Sequence, residues 1–344
     1  MSQARIAVSG AGLIGRRHIQ HIVAEPCAAL ACIVDPDPAA RSIAEQHSVP
    51  WYPSLAAMIG AGRPDGVILA TPNQLHVEGG LECVAAGLPV LVEKPIADSV
   101  AAGTMLVEAA EAAGIPLLVG HHRRHNPLIM AAKSAIDAGR LGRIVSVHAT
   151  CWFFKPDDYF APAWRRQPGA GPILVNLIHD VDLLRHLCGE VATVQAIESS
   201  AIRGHAVEES AAIILRFRSG ALATINVSDT TVAPWSWEFT SGENPAYTHT
   251  PEQSYMIGGT EAALAIPTLD LWRHDTRPDW WQPLRRERLD FTAQDPLALQ
   301  IQNFCAVIAR TAPPVVSGRE GLATLRVIEA IKQAASTGHA IHVR

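Results

Sequence analysis

A glycine-rich turn lies near the start of the chain. Residues 10–15 (GAGLIG) follow the apolar run Arg5–Ser9 and open a segment of helical periodicity. In a GxGxxG turn the first glycine permits the tight turn, the second lets a pyrophosphate approach the backbone, and the third allows helix and strand to pack closely. Free N–H groups at the start of the helix then face the phosphates. The residues that we expect to bind a dinucleotide here are Gly10, Gly12, Leu13, Ile14 and Gly15.

An acidic residue follows at the distance that this motif requires. Asp35 ends the second apolar strand, about twenty residues beyond Gly15, where a carboxylate holds the ribose hydroxyls of a dinucleotide. A carboxylate at that place also repels a 2′-phosphate. The next residues, 36–38, contain no arginine, and the first arginine is Arg41. The sequence therefore predicts NAD as the cofactor and makes NADP the less favoured alternative.

Two more polar segments follow predicted strands. Thr71-Pro72-Asn73 ends the fourth strand, and Glu93-Lys94-Pro95 ends the fifth. Open α/β sheets bind ligands at the carboxyl ends of their strands, so we expect both segments to contact the cofactor. Turn formation alone also accounts for residues 71–73, since proline and asparagine favour turns. Lys94 is more informative, because a lysine at the end of a buried strand is costly unless it is paired, and Glu93 lies beside it.

The surrounding elements predict two domains. Fully apolar strands alternate with helices up to residue 121, which indicates a doubly wound parallel sheet of the Rossmann type. Beyond it the strands alternate apolar and polar residues without intervening helices, which favours an α+β domain with a large, open, mostly antiparallel sheet. We assign residues 1–121 to an NAD-binding Rossmann domain and residues 122–344 to a substrate-binding and oligomerisation domain. The predicted elements of this second domain are helices Leu128–Ala138, Leu174–Leu187, Pro296–Arg310 and Arg319–Ser336, and strands Ile144–Thr150, Thr193–Ser199, Ser210–Phe217, Ala221–Ser228 and Trp235–Thr240.

Bulk composition excludes several classes of partner. The 344 residues carry a net charge of −5, which provides no electrostatic footprint for nucleic acid or an anionic membrane. The six cysteines are scattered without a CxxC pair, which argues against a disulfide framework and against a zinc site. The first strand begins almost at once and leaves no room for a signal peptide, and no apolar run reaches membrane-spanning length. We expect a cytoplasmic protein without a metal.

Several motifs together resemble one family. GAGLIG, then TPN with His76 three residues on, then EKP, GHHRRHNP, Trp164-Arg165 and a helix that carries His179 occur in the order found in the GFO/IDH/MocA (glucose–fructose oxidoreductase, inositol dehydrogenase, MocA-like) oxidoreductases. The resemblance implies a nucleotide-binding dehydrogenase that transfers hydride between NAD and a secondary alcohol or ketone of a polyhydroxylated ring. That ring is a sugar, a cyclitol or a cyclic diol. Two alternatives occur in the same fold, a glycosidase that oxidises its substrate transiently with NAD and a non-catalytic dinucleotide sensor.

The resemblance also implies residue roles. Lys94 contacts the reacting hydroxyl, His179 is its proton-transfer partner, and His76 belongs to the cofactor site. Relatives carry an aspartate four residues before this histidine, where the present chain has Val175 followed by Asn176. Asn176, His179 and Asp182 are spaced three apart and share one face of a helix. Asn176 can hold a substrate hydroxyl but cannot act as a base, whereas Asp182 either orients His179 or bridges within the fold. Asp180 points elsewhere and is expected to be structural.

An aromatic and cationic loop, residues 152–166, precedes that helix. Aromatic rings stack against sugar-like rings, and a guanidinium grips a carboxylate through two parallel hydrogen bonds, so the loop suits a hydroxylated ring that bears an anionic group. An alternative is that its aromatic side chains pack on the sheet or on a neighbouring subunit. The residues that we expect to contact substrate are Arg123, Trp152, Trp164, Arg165, Arg166 and Asp182, with Lys155 as a further cation.

The basic run 121–125 and the second-domain sheet leave further alternatives open. Arg123 or Arg124 contacts a phosphate or carboxylate, or else bridges the domains, because a planar guanidinium suits such anions. Three histidines in the run are compatible with a metal, but adjacent residues point apart and no Cys or Asp completes a set. In relatives the exposed face of the sheet packs on another subunit. An apolar strand such as Ala211–Phe217 would otherwise leave a large patch, so we expect a homodimer or homotetramer.

Overall fold

Two compact units make up the structure, a computed structural model that describes residues 3–343. Within those residues, unit 1 runs to His125 and includes the later segment Gln294–Leu325. Unit 2 comprises Asn126–Ala293 and the residues from Arg326 onward. No helix among the described residues has the length and apolar character to cross a membrane.

Unit 1 contains the predicted Rossmann sheet. Its six strands are all parallel and lie in the order β3-β2-β1-β4-β5-β6, which confirms a doubly wound sheet. The strands are β1 (Ala4–Ser9), β2 (Ala28–Val34), β3 (Trp51–Tyr52), β4 (Gly66–Leu69), β5 (Val90–Val92) and β6 (Leu117–Val119). The helices are α1 (Leu13–Ala24), α2 (Arg41–Gln46), α3 (Leu55–Ala61), α4 (His76–Ala85), α5 (Val100–Ala113), α10 (Pro296–Ile308) and the first part of α11 (Gly318–Thr337).

Helix α10 belongs to unit 1, which differs from the boundary predicted at residues 121 and 122. The amphipathic pattern of α10 is clear in the sequence, but the partner of its apolar face is not. Ile301 and Phe304 are fully buried in one core cluster with Ile6 and Ile33 of the Rossmann sheet. Burial of two large apolar side chains stabilises this arrangement by several kcal/mol, on the order of 1.5–3 for each. The chain therefore returns to its first unit after forming the second.

Unit 2 contains a nine-stranded sheet in the order β14-β13-β12-β11-β7-β10-β9-β8-β15. Strands β7 and β10 are parallel to each other and the remaining neighbours are antiparallel, as predicted for a mostly antiparallel sheet. The strands are β7 (Ile144–Trp152), β8 (Val191–Ser199), β9 (Ser210–Phe217), β10 (Leu222–Ser228), β11 (Tyr255–Gly259), β12 (Ala262–Ile266), β13 (Asp270–Arg273), β14 (Arg285–Arg288) and β15 (Ile341–His342).

One face of this sheet is covered and the other is open. Along β9, Ile213 and Leu215 are buried whereas Ile214 and Arg216 between them are exposed. The buried side packs on the helices of unit 2 and on the second part of α11. These helices are α6 (Pro127–Asp137), α7 (Pro172–Val175), α8 (Leu177–Cys188) and α9 (Trp237–Thr240).

One predicted element of unit 2 is wrong, another is divided in two, and four strands lie in a segment to which no element was assigned. Residues 235–240, predicted as a strand, contain helix α9, because Trp237 is buried and stacks on Tyr255. The helix predicted over Leu174–Leu187 is interrupted at Asn176, where α7 ends and α8 begins. Strands β11–β14 lie in residues 255–288, where short apolar runs are separated by charged loops and show little periodicity.

Candidate active site

The glycine turn has the geometry that its spacing predicts. Gly10 adopts φ +93° and donates its N–H to the Val34 carbonyl at 2.8 Å. A Cβ on Gly10 would lie 2.6 Å from the Ala70 oxygen, and a Cβ on Gly15 would lie 1.8 Å from the Gly10 oxygen. Neither position accepts a larger residue. A Cβ on Gly12 meets no atom within 4 Å, so this glycine leaves open space beside the backbone.

Helix α1 begins directly after Gly12 and receives no side-chain cap from it. The first N–H groups of a helix have no partner within the helix, so those of Leu13 and Ile14 are available to an anion. The Leu13 side chain is exposed and Ile14 is half-buried. The turn therefore offers backbone donors rather than side chains.

The carboxylate of Asp35 organises this turn. Its Oδ2 accepts from the Ala11 N–H at 2.7 Å, and its Oδ1 accepts from the Asp37 N–H at 2.8 Å. Asp35 is only partly buried, so both oxygens keep lone pairs toward solvent. Arg41, the first cation after it, stacks on the Trp51 ring at 4.3 Å.

A narrow cleft opens at the carboxyl ends of β1, β2 and β4. Its volume is about 160 Å³, and its walls include Pro36, Leu55, Leu75 and Thr71. The hydroxyl of Thr71 is buried and has no hydrogen-bond partner among residues 3–343. A cleft that combines apolar walls with hydroxyl groups fits part of a dinucleotide, so the residues present are compatible with NAD.

The segment after β4 places its members differently. Pro72 is exposed and Asn73 is half-buried at the start of a short 3₁₀ turn, Asn73–Leu75. His76 is buried at the start of α4, with Nδ1 2.8 Å from the Pro95 carbonyl and Nε2 2.9 Å from the Thr71 carbonyl. Burial lowers the pKa of His76, although the two carbonyls act in the opposite direction. Both ring nitrogens therefore face backbone carbonyls inside unit 1.

Lys94 lies in the turn after β5, and its peptide bond to Pro95 is cis. The preceding Glu93 is buried, with Oε1 2.7 Å from His18 Nε2 and Oε2 accepting from the Lys94 N–H at 3.2 Å. Burial alone raises the pKa of this carboxyl, but the hydrogen bond and charge of His18 outweigh it and hold the pKa at about 2. Glu93 is therefore ionised at neutral pH, and Lys94 itself is half-buried.

The basic run forms a 3₁₀ turn, His122–His125, in unit 1. Both Arg123 and Arg124 are buried, at 4 % exposure each. Arg124 donates to the Glu320 carboxylate at 2.9 Å, and Glu320 also belongs to unit 1. The contact between Arg124 and Glu320 is therefore an ion pair within unit 1, and it does not bridge the two units. Residues 3–343 contain no group of three or more His, Cys, Asp or Glu side chains that could hold a metal ion.

In unit 2 the predicted polar residues lie at the junction between α7 and α8 and along α8. Asn176 forms the junction, and its carbonyl accepts from the His179 N–H at 3.1 Å. The Asn176 Oδ1 atom is buried without a hydrogen-bond partner in the part of the chain that the structure describes. His179 and Asp182 are both buried on α8. Asp180 accepts a hydrogen bond from the Tyr255 hydroxyl, a side-chain contact within unit 2.

A carboxylate that the sequence did not single out fixes the start of α7. Glu208 Oε1 accepts from the Ile173 N–H at 3.2 Å, and Oε2 pairs with Lys332 at 2.8 Å. A Cβ on Gly171 would lie 2.2 Å from Glu208 Oε1, so only glycine fits against this carboxyl. No local pattern identifies Glu208, because its partners are remote in sequence.

The residues of the aromatic loop differ in their exposure to solvent. Trp152 ends β7 and donates to Asn226 at 2.5 Å, whereas Trp164 is 60 % exposed. Arg165 donates to the Tyr159 carbonyl at 2.7 Å, and its guanidinium lies over the Tyr159 ring at 4.2 Å. The loop therefore holds Arg165 in place from within and leaves Trp164 open to solvent.

The cation Lys155 is not where the sequence predicted it. It is 4 % exposed, and its ammonium lies 3.3 Å from Asp229 Oδ2. Arg203 pairs with the other oxygen of the same carboxylate and also donates to the Lys155 carbonyl at 2.7 Å. Burial lowers the pKa of Lys155, opposed by the charge of Asp229. The expectation that Lys155 contacts substrate is wrong, because this lysine is used inside unit 2.

Arg166, in contrast, is exposed and lines a cavity of about 570 Å³ within unit 2. The other residues of the wall combine ring faces, cations and one carboxylate. They include Phe154, Asp157, Phe160, Arg203 and His205. The Phe160 ring contacts both Arg203 and His205, at 4.5 and 5.0 Å between centres. Arg203 and His205 were not anticipated, because their loop lies far along the chain from Arg166.

Comparison with known proteins decides the family. Residues 4–121 match the model described as "Oxidoreductase family, NAD-binding Rossmann fold", and residues 129–265 match the GFO/IDH/MocA C-terminal domain. The chain belongs to the GFO/IDH/MocA oxidoreductase family. The family resemblance predicted from the sequence motifs is thereby confirmed.

Individual relatives agree with this assignment. The inositol 2-dehydrogenase of Rhizobium meliloti (strain 1021) is 29 % identical over 346 residues and covers 95 % of each chain. The rhizopine catabolism protein MocA of Rhizobium meliloti is 30 % identical over 211 residues, 59 % of this chain and 65 % of that protein. The chain thus spans about two thirds of the length of that relative.

Among solved structures, the WlbA dehydrogenase from Bordetella pertussis superposes with a TM-score of 0.81 and 27 % identity. The match covers 99 % of both chains, and that structure contains NADH and UDP-GlcNAcA. The two-unit fold is therefore shared along almost the whole chain.

Proposed function

We propose that this chain is an NAD-dependent dehydrogenase that acts on a secondary alcohol or ketone of a polyhydroxylated ring. The observation that carries the proposal is the turn 93–95, which places Lys94 beside an ionised, fixed Glu93 at the same edge of the sheet as the glycine turn. Ligands of open α/β sheets bind at that edge. Support comes from relatives whose names are inositol 2-dehydrogenase and 1,5-anhydro-D-fructose reductase.

The chain's own residues supply position and proton transfer. When bound, the nicotinamide accepts or returns the hydride. Lys94 contacts the reacting hydroxyl, and either Lys94 or His179 takes its proton when the alcohol is oxidised. Asn176, in place of the usual aspartate, holds a substrate hydroxyl through its side-chain amide, and its buried oxygen without a partner supports this role. Asp182 orients His179 from the same helix.

The cofactor is NAD rather than NADP. Asp35 stands at the ribose position with both oxygens fixed by backbone N–H groups, so its charge cannot swing away from a 2′-phosphate. The nearest cation that follows, Arg41, is stacked on Trp51. Thr71, with its buried hydroxyl, adds a hydrogen-bonding group to the cleft.

The preferred substrate is a ring that bears an anionic group. The cavity in unit 2 combines the Phe154 and Phe160 rings with Arg166 and His205, which suits a ring face and a carboxylate together. Asp157 in the same wall disfavours a second anionic group. Arg165 and Trp164 are general family features and say little about which ring is chosen.

The open face of the nine-stranded sheet forms the contact between subunits of a homodimer or homotetramer. Ile214, Met256 and Trp272 are large apolar side chains that are 39–48 % exposed on its strands. A patch of this kind on a monomer marks an interaction surface. Light scattering at micromolar concentration checks this, and a single 36.9 kDa species would contradict it.

The experiment that tests the proposed function is a panel of polyols, cyclitols, sugars and cyclic diol acids offered with NAD, with NADH absorbance as readout. Net NADH formation with at least one alcohol is expected, and the variant Lys94→Ala serves as the negative control. A glycosidase would cleave glycosides without net NADH, because it recycles its cofactor. A sensor would bind NADH and turn over nothing, and either result would replace the proposal.

A further inference from the structure

Two buried histidines contact the residues on either side of Lys94, one through the Glu93 side chain and the other through the Pro95 carbonyl. His18, on α1, is 0 % exposed and reaches the turn through Glu93. His76, on α4, is 1 % exposed and reaches it through the Pro95 carbonyl. The residues on both sides of Lys94 are therefore held by side chains that are themselves buried in unit 1.

The His18 contact ties Lys94 to the helix that follows the glycine turn. His18 Nδ1 has no hydrogen-bond partner among residues 3–343, whereas Nε2 lies 2.7 Å from Glu93 Oε1. A proton on Nε2 makes this ring nitrogen a donor to the carboxylate. The second oxygen of Glu93 accepts from the Lys94 N–H. One carboxylate thus joins α1 to the backbone of Lys94.

Glu93 has little freedom to move within this arrangement. Gly120, just after β6, lies so close that a Cβ there would be 2.9 Å from the carboxyl carbon and from both oxygens. The carboxylate is held by the histidine, by its own backbone neighbour and by the glycine surface. Because the Glu93 carboxylate is held on three sides, a shift of α1 would also shift the turn that contains Lys94.

The His76 contact holds the other end of the turn. Its Nδ1 faces the Pro95 carbonyl and its Nε2 faces the Thr71 carbonyl, so the ring joins the ends of β4 and β5. A neutral imidazole carries one N–H and donates to one of these carbonyls at a time. Its place in the motif predicted a cofactor contact, but the ring nitrogens are directed into the protein.

We propose that His18 and His76 are positioning residues that fix the backbone on both sides of Lys94, and that neither of them contacts cofactor or substrate. This role rests on the proposed function, in which Lys94 acts on the reacting hydroxyl. In this proposal the buried Glu93 connects α1, the helix after the glycine turn, to the backbone of Lys94. Displacement of a reacting group by about 1 Å lowers the rate by roughly 10²-fold, so such support has a measurable effect.

The test compares two amides of different reach at position 18. The amide nitrogen of His18→Gln extends about as far as Nε2 and keeps the bond to Glu93, whereas His18→Asn is too short. The readout is acetylation of Lys94 by acetic anhydride in the full chain with NADH bound, measured by peptide mass spectrometry and normalised to Lys133 on α6. We expect the Asn variant to be labelled at Lys94 at least about threefold faster, because the turn loosens, and the Gln variant to resemble the parent.

Two further measurements separate positioning from stability. NADH binding, followed by fluorescence, should change by less than about threefold in both variants, and both should melt cooperatively. His76→Phe, which keeps the ring but has no nitrogen, should accelerate Lys94 labelling in the same way. Equal labelling in parent, Gln and Asn variants would overturn the proposal, as would loss of NADH binding in parallel with any labelling change.

This readout does not depend on knowing the substrate. If Lys94→Ala retained full turnover on a substrate from the panel, the proposed function would fail while the labelling result still reported the role of His18. With an identified substrate, His18→Asn should also lose at least about tenfold in kcat at nearly unchanged KM for NAD, and His18→Gln should recover most of it. A fall in melting temperature alone, without change in labelling or kcat, would show a merely structural role and would also overturn the proposal.

Discussion

Glu93 in unit 1 and Asp229 in unit 2 are both buried carboxylates that hold a loop, but they have different surroundings. Glu93 in unit 1 is bound by a histidine and by the N–H of Lys94, the residue proposed to act in the reaction. Asp229 in unit 2 is bound by two cations, Lys155 and Arg203. In unit 1 the buried network lies directly next to the reactive group, whereas in unit 2 it includes Arg203, which lines a cavity.

This difference shows that two charged residues of one loop can have different roles, one inside the fold and one on a binding surface. Lys155 and Arg166 belong to the same loop and looked equivalent in the sequence. The structure places Lys155 in the buried network and leaves Arg166 on the cavity wall. Disturbance of the unit 1 network should therefore affect catalysis, and disturbance of the unit 2 surface should affect binding of the substrate.

The largest effect is expected at Lys94. Lys94→Ala should lower kcat by roughly 10²–10⁴, because the reacting hydroxyl loses its acid–base partner, while NAD binding stays measurable. His179→Ala should fall in the same range. Steady-state kinetics and NADH fluorescence check both variants. Near-full turnover by Lys94→Ala would show that Lys94 is not needed for the reaction. The contrast between the buried networks of the two units would then fail.

A second prediction concerns acid stability. The pKa of Glu93 is lowered in the folded state, from 4.5 to about 2, so its stabilising contribution is present above pH 4.5 and is lost as the pH falls toward 2. At full extent this amounts to about 3 kcal/mol. Urea unfolding at a series of pH values should show a steeper loss of stability for the parent than for Glu93→Gln between about pH 5 and pH 3. Parallel curves would mean that the histidine does not stabilise the ionised carboxyl.

The next largest expected effect concerns the preference for NAD over NADP. NAD should be favoured over NADP at least about tenfold in kcat/KM, equal to about 1.4 kcal/mol. Asp35→Ser should reduce that ratio, mainly by weakening NAD, since it removes the acceptors of the Ala11 and Asp37 N–H groups as well as the charge. Asp35→Asn is the matched control that keeps the shape, loses the charge and retains one of the two acceptor oxygens. Equal efficiency with both cofactors in the parent would refute this prediction.

The smallest effects distinguish two cations of one loop. Arg166→Ala should raise KM for a cyclitol acid about tenfold and leave KM for the neutral cyclitol unchanged, because one charge-assisted contact is lost. Lys155→Met should leave both KM values within about twofold, since its ammonium faces Asp229 rather than the cavity. A preference for the neutral ring, indifferent to Arg166, would end the idea of an anionic substrate.

The sequence predicts the unit 1 fold and the geometry of its glycine turn well, and the reason is physical. The functions of Gly10, Gly12 and Gly15 depend on backbone geometry within a few residues, and Asp35 follows at the end of the next strand. Local spacing therefore carries most of the information. The alternation of apolar strands and helices likewise specifies a parallel sheet without knowledge of long-range contacts.

What the sequence misses depends on partners that are remote along the chain. His18 is a polar residue on the buried side of α1, next to Ile19 and Ile22, and its partner Glu93 lies 75 residues away. A histidine on an otherwise apolar helix face was the available signal. The burial of Lys155 depends on Asp229, and the position of α10 depends on the core of unit 1. Neither contact can be recognised from the residues nearby in the sequence.

The central claim, hydride transfer from a ring alcohol to NAD in a reaction that needs Lys94, is tested most directly with a deuterated substrate. The alcohol that performs best in the panel is prepared with deuterium on the carbinol carbon, and the nicotinamide product is analysed by mass spectrometry. One deuterium per molecule of NADH formed is expected, with formation at least about 10²-fold slower in Lys94→Ala. NADH without deuterium, or deuterium that remains on the product while no NADH accumulates, would contradict the claim.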